Sequence, residues 1–356
     1  MTATRTLLVM AGGTGGHIFP ALAVAETMRE RGWRVIWLGN PDGMEAKLVP
    51  QRRFEMRFIR FGGLRGKGVV RMLTLPYNLL CAFWQARKII AEVRPQAALG
   101  MGGYITFPGG MMATLQGLPL IIHEQNSIAG LANRVLAKLA DRVLTGFPDV
   151  FKRGAWVGNP VRPEIAALPE PAERFADRDG PLRLLVIGGS LGAKALNDIV
   201  PKGLALLPEA ERPMVVHQAG EKHIEALKAN YAEAGVHAHI VPFIEDMAGA
   251  YGWADLVICR AGALTVAELA AAGIASILVP FPYAVDDHQT SNAKFLVNVG
   301  GAFLLPQKDL TPESVALVRN YTRGQLLQMA ETARTVARPE AAAETVRICE
   351  EMIPIK

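Results

Sequence analysis

The sequence predicts an α/β protein built as two doubly wound parallel-sheet domains. Three observations carry that reading. Strand-like apolar runs alternate with helical patterns, which implies βαβ units and parallel sheets. The alternating series occurs twice along the chain. The length of 356 residues is also about twice the ~150 residues of an ordinary domain.

In the first half the expected strands are TLLVMA (6–11), RVIWLG (34–39), AALG (97–100), PLIIHE (119–124) and DRVLTG (141–146), with helical periodicity over 16–31 and 78–93. In the second half they are LRLLVIGG (182–189), MVVHQAG (214–220), HAHIVPF (237–243), DLVICR (255–260) and ASILVPF (275–281), again with helices between. The stretch GNPVRPEIAALPEPAERFADRDGP, rich in proline and charge, reads as the linker. A last helical pattern, AAAETVRICEEMIPIK, follows Pro339, and periodicity leaves its docking place open.

Composition bounds the function. The chain is 50% hydrophobic and 20% charged, as a soluble globular protein is. Cys81, Cys259 and Cys349 lie far apart without zinc spacing, which points to a reducing compartment and away from disulfides. The start, MTATRTLLVMAGG, lacks the pattern of a signal peptide, and no window offers the ~20 apolar residues of a membrane span. A cytoplasmic protein is expected, with membrane contact left open. Residues 1–160 carry 20 Lys/Arg against 9 Asp/Glu, and the rest carry 18 against 24. The halves are therefore +11 and −6 within a total of +5, so the first half is expected to face an anionic partner.

LLVMAGGTGGH and LLVIGGSLGAK are each an apolar strand, a Gly-Gly-Thr/Ser turn and a helix start. One such turn per domain, at the carboxyl end of its strand, lies where α/β sheets bind ligands. A third glycine turn, LGMGGYITFPGG (99–110), also follows a strand. Glycines let a backbone approach a ligand closely, and the free N–H groups of the following helix attract an anion. Neither of the first two is a dinucleotide fingerprint: Ile18 and Ser190 stand where GxGxxG needs glycine. Neither is a P-loop, since His17 and Ala193-Lys194-Ala195 break that pattern.

The stretches AGGTGGHIFPALAVA, FGGLRGKG, LGMGGYITFPGG, HEQNSIAGLANR, VGNPVR, GGSLGAKALN, ICRAGALTVAELAAAG and PFPYAVDDHQTSNA span residues 11 to 293. On these the sequence resembles the MurG family of peptidoglycan glycosyltransferases, which move N-acetylglucosamine from UDP-N-acetylglucosamine onto lipid I. The resemblance implies a GT-B fold: two Rossmann-like doubly wound domains, an interdomain cleft, and a C-terminal helix crossing back to the first domain. It implies an acceptor- and membrane-facing domain of 1–162 plus 340–356, and a UDP-sugar-binding domain of 163–339.

The site residues follow from residue chemistry and this resemblance together. His17 opens a helix, whose positive end disfavours a charged imidazolium. A neutral imidazole near a sugar hydroxyl can act as a general base. The resemblance makes His17 the candidate base for the acceptor's 4-hydroxyl, or an orienting or phosphate contact. A capping histidine is the plainer alternative. The turns at Gly12–Gly16 and Gly100–Gly103 are expected to hold the acceptor's diphosphate, with Gly13, Gly102, Gly103 and Tyr104 as acceptor contacts. Thr14, Gly15 and Gly16 are expected to reach the donor.

IIHEQNSIAG ends a strand in polar residues, which a packed core disfavours. There Asn126 matches a donor-sugar contact, with His123 and Glu124 as acceptor candidates. A satisfied loop network is the alternative. On the donor side the resemblance implies a phosphate contact at Ser190, although Leu191 replaces the family's usual glutamine in that turn. It also implies donor contacts at Arg162, at Ile244 in the uracil pocket, and at Gln289. Ala263, Leu264, Thr265, Val266, Ala267 and Glu268 are expected beside the nucleotide in a helix's first turn, with Glu268 accepting from the ribose hydroxyls. The alternatives are a salt bridge for Arg162, core packing for Ile244 and a dipole-favoured carboxylate for Glu268.

No metal and no cofactor are expected, UDP-N-acetylglucosamine being a substrate. The pairs Asp286-Asp287 and Asp177/Asp179 lack the converging oxygens of a hard-cation site. The segment 63–94 mixes Leu79, Leu80, Phe83 and Trp84 with Arg71, Arg87 and Lys88, and is expected to lie on an anionic membrane surface. Its alternative is a core helix with a basic edge. No nucleic-acid module appears. The resemblance places the protein peripherally at the cytoplasmic face of the plasma membrane, with other cell-wall enzymes as candidate partners.

The expected reaction is an inverting, metal-independent transfer of N-acetylglucosamine to the 4-hydroxyl of the N-acetylmuramoyl unit of lipid I, giving lipid II. Two rivals stand beside it. A UDP-N-acetylglucosamine 2-epimerase of the same fold leaves the basic apolar segment unexplained. A non-catalytic nucleotide-binding module on a membrane surface leaves His17, Asn126, Glu268 and Gln289 unexplained.

Overall fold

The computed structural model describes residues 5–62, 74–189 and 192–353. The chain divides into two compact units, Met1–Val161 with Pro339–Lys356, and Arg162–Arg338. Each break lies one residue from the expected boundary. Arg162 belongs with the second unit, where its guanidinium pairs with Glu268.

The first unit holds seven strands: β1 (Thr6–Met10), β2 (Arg34–Gly39), β3 (Glu55–Phe58), β4 (Ala97–Gly100), β5 (Leu120–Glu124), β6 (Arg142–Thr145) and β7 (Ala155–Trp156). They form one parallel sheet in the order β3-β2-β1-β4-β5-β6-β7. Strands covered on both faces read as unbroken apolar runs, and all five residues of β1 are buried. Each fully buried leucine or isoleucine contributes about 1.5–3 kcal/mol. The strand order reverses at β1/β4, so the glycine turns after these two strands meet at the crevice where doubly wound sheets bind ligands.

The helix Ala341–Glu351 packs on this unit. Val346, Ile348 and Cys349 join Met28 and Trp33 in one core cluster, and Glu350 accepts from Arg31 (2.7 Å) and from the Trp33 indole (3.3 Å). This answers the docking question that periodicity left open.

The second unit holds β8 (Arg183–Ile187), β9 (Met214–Gln218), β10 (His239–Val241), β11 (Leu256–Cys259), β12 (Ala275–Leu278) and β13 (Ala302–Leu304). These form a parallel sheet in the order β10-β9-β8-β11-β12-β13, with its reversal at β8/β11. Strands β3, β7 and β13 escaped the sequence reading. Each is an outermost strand, short and partly exposed, so it carries no unbroken apolar run.

Candidate active site

The first glycine turn leads into the helix Gly15–Glu30, with Thr14 as its N-cap residue. The helix geometry leaves the first-turn N–H groups of Gly15 and Gly16 without a carbonyl of their own. The Gly13 N–H is already used. It donates to Glu45 Oε2 at 3.1 Å, and Glu45 Oε1 accepts the Asn40 N–H at 2.9 Å. Glu45 is fully buried and braces the turn from behind, a role no motif announced.

His17 is the third residue of this helix and is half-buried. Its Nδ1 lies 2.9 Å from Gln125 Oε1. The β4 turn closes on the same ring. Gly102 has a φ of +90°, and a Cβ there would come within 2.5 Å of His17 Nδ1 and 2.9 Å of Gln125 Oε1. Only glycine leaves room for that pair. Tyr104, also half-buried, packs its ring beside Gly13. Thus Gly13, His17, Gly102, Gly103 and Tyr104 gather at the β1/β4 reversal.

His123 and Glu124 lie nearby, but as internal braces. The Glu124 carboxylate accepts the N–H groups of Asn126 (3.0 Å) and Gly130 (3.1 Å) and the Asn133 amide (2.8 Å), which folds the loop after β5. His123 is fully buried, and its Nε2 bonds the Gly158 carbonyl at 2.9 Å. Burial pushes the His123 pKa down to about 4, so the ring is neutral. The polar run that suggested two acceptor contacts is, for these side chains, a satisfied network. Asn126 is half-buried and donates to Glu124 from its backbone and its amide.

In the second unit a pocket of about 580 Å³ opens at the β8/β11 reversal. Gly188, Gly189 and Gly192 and the start of the helix Lys194–Ala205 form one wall. A Cβ on Gly192 would meet the Ala219 carbonyl oxygen at 2.0 Å. The turn therefore cannot carry a side chain there, and the backbone N–H groups at the helix start line the pocket. Lys194, Asp198, Arg260, Thr265, Phe281, Gln289 and Gln307 also line it, with Lys194 paired to Asp198. Gln289 Oε1 accepts the Phe281 N–H at 2.9 Å, which leaves its amide nitrogen to donate. Arg260 is anchored by the Val279 and Pro280 carbonyls, both at 3.1 Å, and by Gln307 at 2.6 Å. Ser190 and Leu191 lie outside the described residues.

The helix spans Ala263–Ala272, so Glu268 sits in its second turn rather than its first, and it is buried. The helix dipole does not account for it. Arg162 does, donating from Nε (3.0 Å) and Nη2 (2.9 Å) to one oxygen, while the Tyr251 hydroxyl reaches the other at 3.3 Å. Burial raises the Glu268 pKa, and Arg162 opposes that shift. Of residues 263–267, Thr265 lines the pocket, Leu264 and Ala267 are half-buried, and Ala263 and Val266 are buried. Ile244 is half-buried in the loop after β10 and is absent from the pocket lining.

Two family models cover the chain in sequence order. The glycosyltransferase family 28 N-terminal domain matches residues 7–145, and the family 28 C-terminal domain matches 183–345. A relative from Dechloromonas aromatica (strain RCB) is 71% identical over 349 residues, covering 98% of this chain and 99% of its own. One from Azoarcus sp. (strain BH72) is 64% identical, covering 98% of each. Both are named UDP-N-acetylglucosamine--N-acetylmuramyl-(pentapeptide) pyrophosphoryl-undecaprenol N-acetylglucosamine transferase. The crystal structure of Acinetobacter baumannii MurG superposes with a TM-score of 0.84 at 42% identity, covering 98% of this chain and 99% of that one.

The chain belongs to the MurG branch of glycosyltransferase family 28.

The fold is accordingly of the GT-B type. Within this MurG frame, sequence reading missed Glu45, Gln125, Lys194, Arg260 and Gln307. Arg260 and Lys194 stood inside quoted motifs and could have been found as the only cations there. Glu45 and Gln125 carry no local signal, because the residues they contact at the glycine turn, Gly13 and His17, lie 32 and 108 residues away.

The exposed apolar set also differs from the expected one. On the helix Leu75–Val93, Leu79 and Phe83 pack against the core. Leu80 (67% exposed), Trp84 (66%) and Tyr77 (71%) face outward beside Arg87 and Lys88. The four residues named from sequence therefore do not form one face. Residues 63–73, including Arg71, lie outside the described residues. Leu131, Val135 and Leu139 form a second exposed apolar run beside Arg134 and Lys138. Among the described residues no helix is long and apolar enough to cross a membrane.

Proposed function

We propose that this protein transfers N-acetylglucosamine from UDP-N-acetylglucosamine to the 4-hydroxyl of the N-acetylmuramoyl unit of lipid I, with inversion and without a metal ion, giving lipid II. The observation that carries the transfer is the 71% identity, along 98% of the chain, to a relative named as a UDP-N-acetylglucosamine--N-acetylmuramyl-(pentapeptide) pyrophosphoryl-undecaprenol N-acetylglucosamine transferase. The two sites suit the two diphosphates such a reaction brings together.

The second unit takes the donor. The helix start at Lys194, with its dipole, favours the UDP diphosphate and the charge that builds on it as it leaves. Arg260 adds positive charge to the pocket, where the Lys194 ammonium is paired with Asp198. Gln289 donates to the sugar, and Glu268, held by Arg162, accepts from the ribose diol. The first unit takes the acceptor. The N–H groups at Gly15 and Gly16 and the Gly102–Tyr104 turn bind its diphosphate. His17 is the general base: the 4-hydroxyl gives up its proton to the imidazole, its oxygen bonds the anomeric carbon, and the bond to UDP breaks with its electron pair leaving on the diphosphate.

Tyr77, Leu80 and Trp84 with Arg87 and Lys88 support a peripheral seat on an anionic membrane surface at the cytoplasmic face, where a lipid-linked acceptor lies. Incubation with labelled UDP-N-acetylglucosamine and a lipid I analogue tests the proposal. Label should move into the lipid product, and release of free sugar or of an epimer from donor alone would refute it.

A further inference from the structure

One chain of hydrogen bonds behind His17 has a defined direction. It starts at the Gly158 carbonyl, which can only accept. His123 Nε2, 2.9 Å away, must therefore carry a proton and donate. His123 is fully buried and neutral, so its Nδ1 is left as a lone pair. Gln125 Nε2 lies 3.2 Å from that Nδ1 and donates to it. This turns the Gln125 carbonyl oxygen toward His17 Nδ1, at 2.9 Å, where it can only accept. His17 Nδ1 must then carry the proton, and Nε2 is left with the lone pair.

The chain has few ways to slip. Gln125 is buried, its backbone carbonyl accepts the Asn159 amide at 3.0 Å, and its amide nitrogen also reaches the His123 carbonyl at 3.3 Å. Gly102 closes the space beside the His17–Gln125 pair. Among the described residues, His17 Nε2 makes no hydrogen bond.

We propose that Gln125 is a positioning residue, which, through His123 and the Gly158 carbonyl, holds His17 in the Nδ1–H tautomer and presents Nε2 as the atom that takes the acceptor proton. The proposal rests on the reading of His17 as the base. In the step itself the hydroxyl O–H bond breaks and the proton joins the Nε2 lone pair. The resulting imidazolium keeps its Nδ1–H bond to a neutral amide oxygen. The glutamine thus sets which nitrogen reacts, without adding a negative charge behind the ring.

The tautomer can be read directly by long-range proton–nitrogen NMR on histidine-labelled full-length protein, above the pH range in which imidazole titrates. The chain has seven histidines, and the His17 signals are assigned by their loss in His17→Gln. In the unsubstituted protein His17 should show a protonated Nδ1 and an unprotonated Nε2. A proton on Nε2 overturns the proposal, and this reading needs no variant that might fail to fold. Gln125→Leu should lose the Nδ1–H preference and lower kcat about 10- to 100-fold, with the KM for UDP-N-acetylglucosamine changed less than about twofold. Gln125→Glu keeps an acceptor toward His17 but cannot donate to His123, so it should keep the His17 Nδ1–H tautomer while kcat stays below that of the unsubstituted protein. An unchanged kcat and tautomer in Gln125→Leu also overturn it. If His17→Ala retained full transfer while the spectrum showed Nδ1–H, the base reading would fall and the tautomer assignment would stand, so the two failures are distinguishable.

Discussion

Arg162 points two of its N–H groups at a single oxygen of Glu268, at 3.0 and 2.9 Å, and the Tyr251 hydroxyl holds the other oxygen at 3.3 Å. The carboxylate is buried, whereas the arginine is partly exposed. Removing the arginine strands a buried charge, which costs more than the pair itself contributes. Arg162→Ala should therefore destabilise the protein by about 2–3 kcal/mol in urea unfolding. Glu268→Gln, which leaves no charge behind, should cost about 1 kcal/mol. Equal losses for the two would remove this account of the pair.

Gly102 stands against the His17 ring, with a φ of +90°. Alanine there meets both an unfavourable backbone conformation and the His17–Gln125 pair. Gly102→Ala should lower kcat about 100-fold, the scale of a 1 Å displacement of a catalytic group. UDP binding, measured by calorimetry, should be unaffected, because the donor pocket is built from the second unit. Weakened UDP binding would mean that the substitution acts beyond His17.

His123 and His217 are buried, with pKa values pushed down by desolvation to about 4 and about 3. Histidine in an unfolded chain titrates near 6.5. The unfolded state therefore binds more protons below about pH 6.5, and stability is lost as pH falls from there toward about 4. Between about pH 7.5 and about pH 5.5 the loss should be about 1.3 kcal/mol for each histidine. Urea midpoints at the two pH values check this, and His217→Asn should remove about half of the effect. A pH dependence unaltered in that variant would contradict the assignment.

Cys81 is half-buried, whereas burial pushes the Cys259 and Cys349 thiols up to about 12. The thiolate is the reactive form. A colorimetric thiol count should find one reactive cysteine in the native protein and three in urea. Fast reaction of a second thiol in the native state would show that one of these cores opens readily.

Much of this was legible in the sequence, and the rest was hidden for physical reasons. The central strands of both sheets are covered on both faces, so TLLVMA and RVIWLG announced themselves as apolar runs. The short outermost strands did not. The glycine turns were visible because only glycine fits at Gly102 and Gly192. The polar run HEQNS was legible as a strand-end cluster, but the partners of its side chains were not. His123 and Glu124 are internal braces, and Gln125, unremarked between them and Asn126, is the side chain that touches His17. Direction along a hydrogen-bond chain depends on partners at Gly158 and His17, which no local pattern reveals.

The central claim is glycosyl transfer to a lipid-linked sugar, and the linkage formed tests it most directly. Full-length protein is incubated with UDP-N-acetylglucosamine, a lipid I analogue and EDTA, and the product is analysed by NMR at the new anomeric carbon. The account predicts a β-linked disaccharide on the lipid, formed at the same rate with and without EDTA. No lipid-linked product, an α linkage, or N-acetylmannosamine released from donor alone would contradict it.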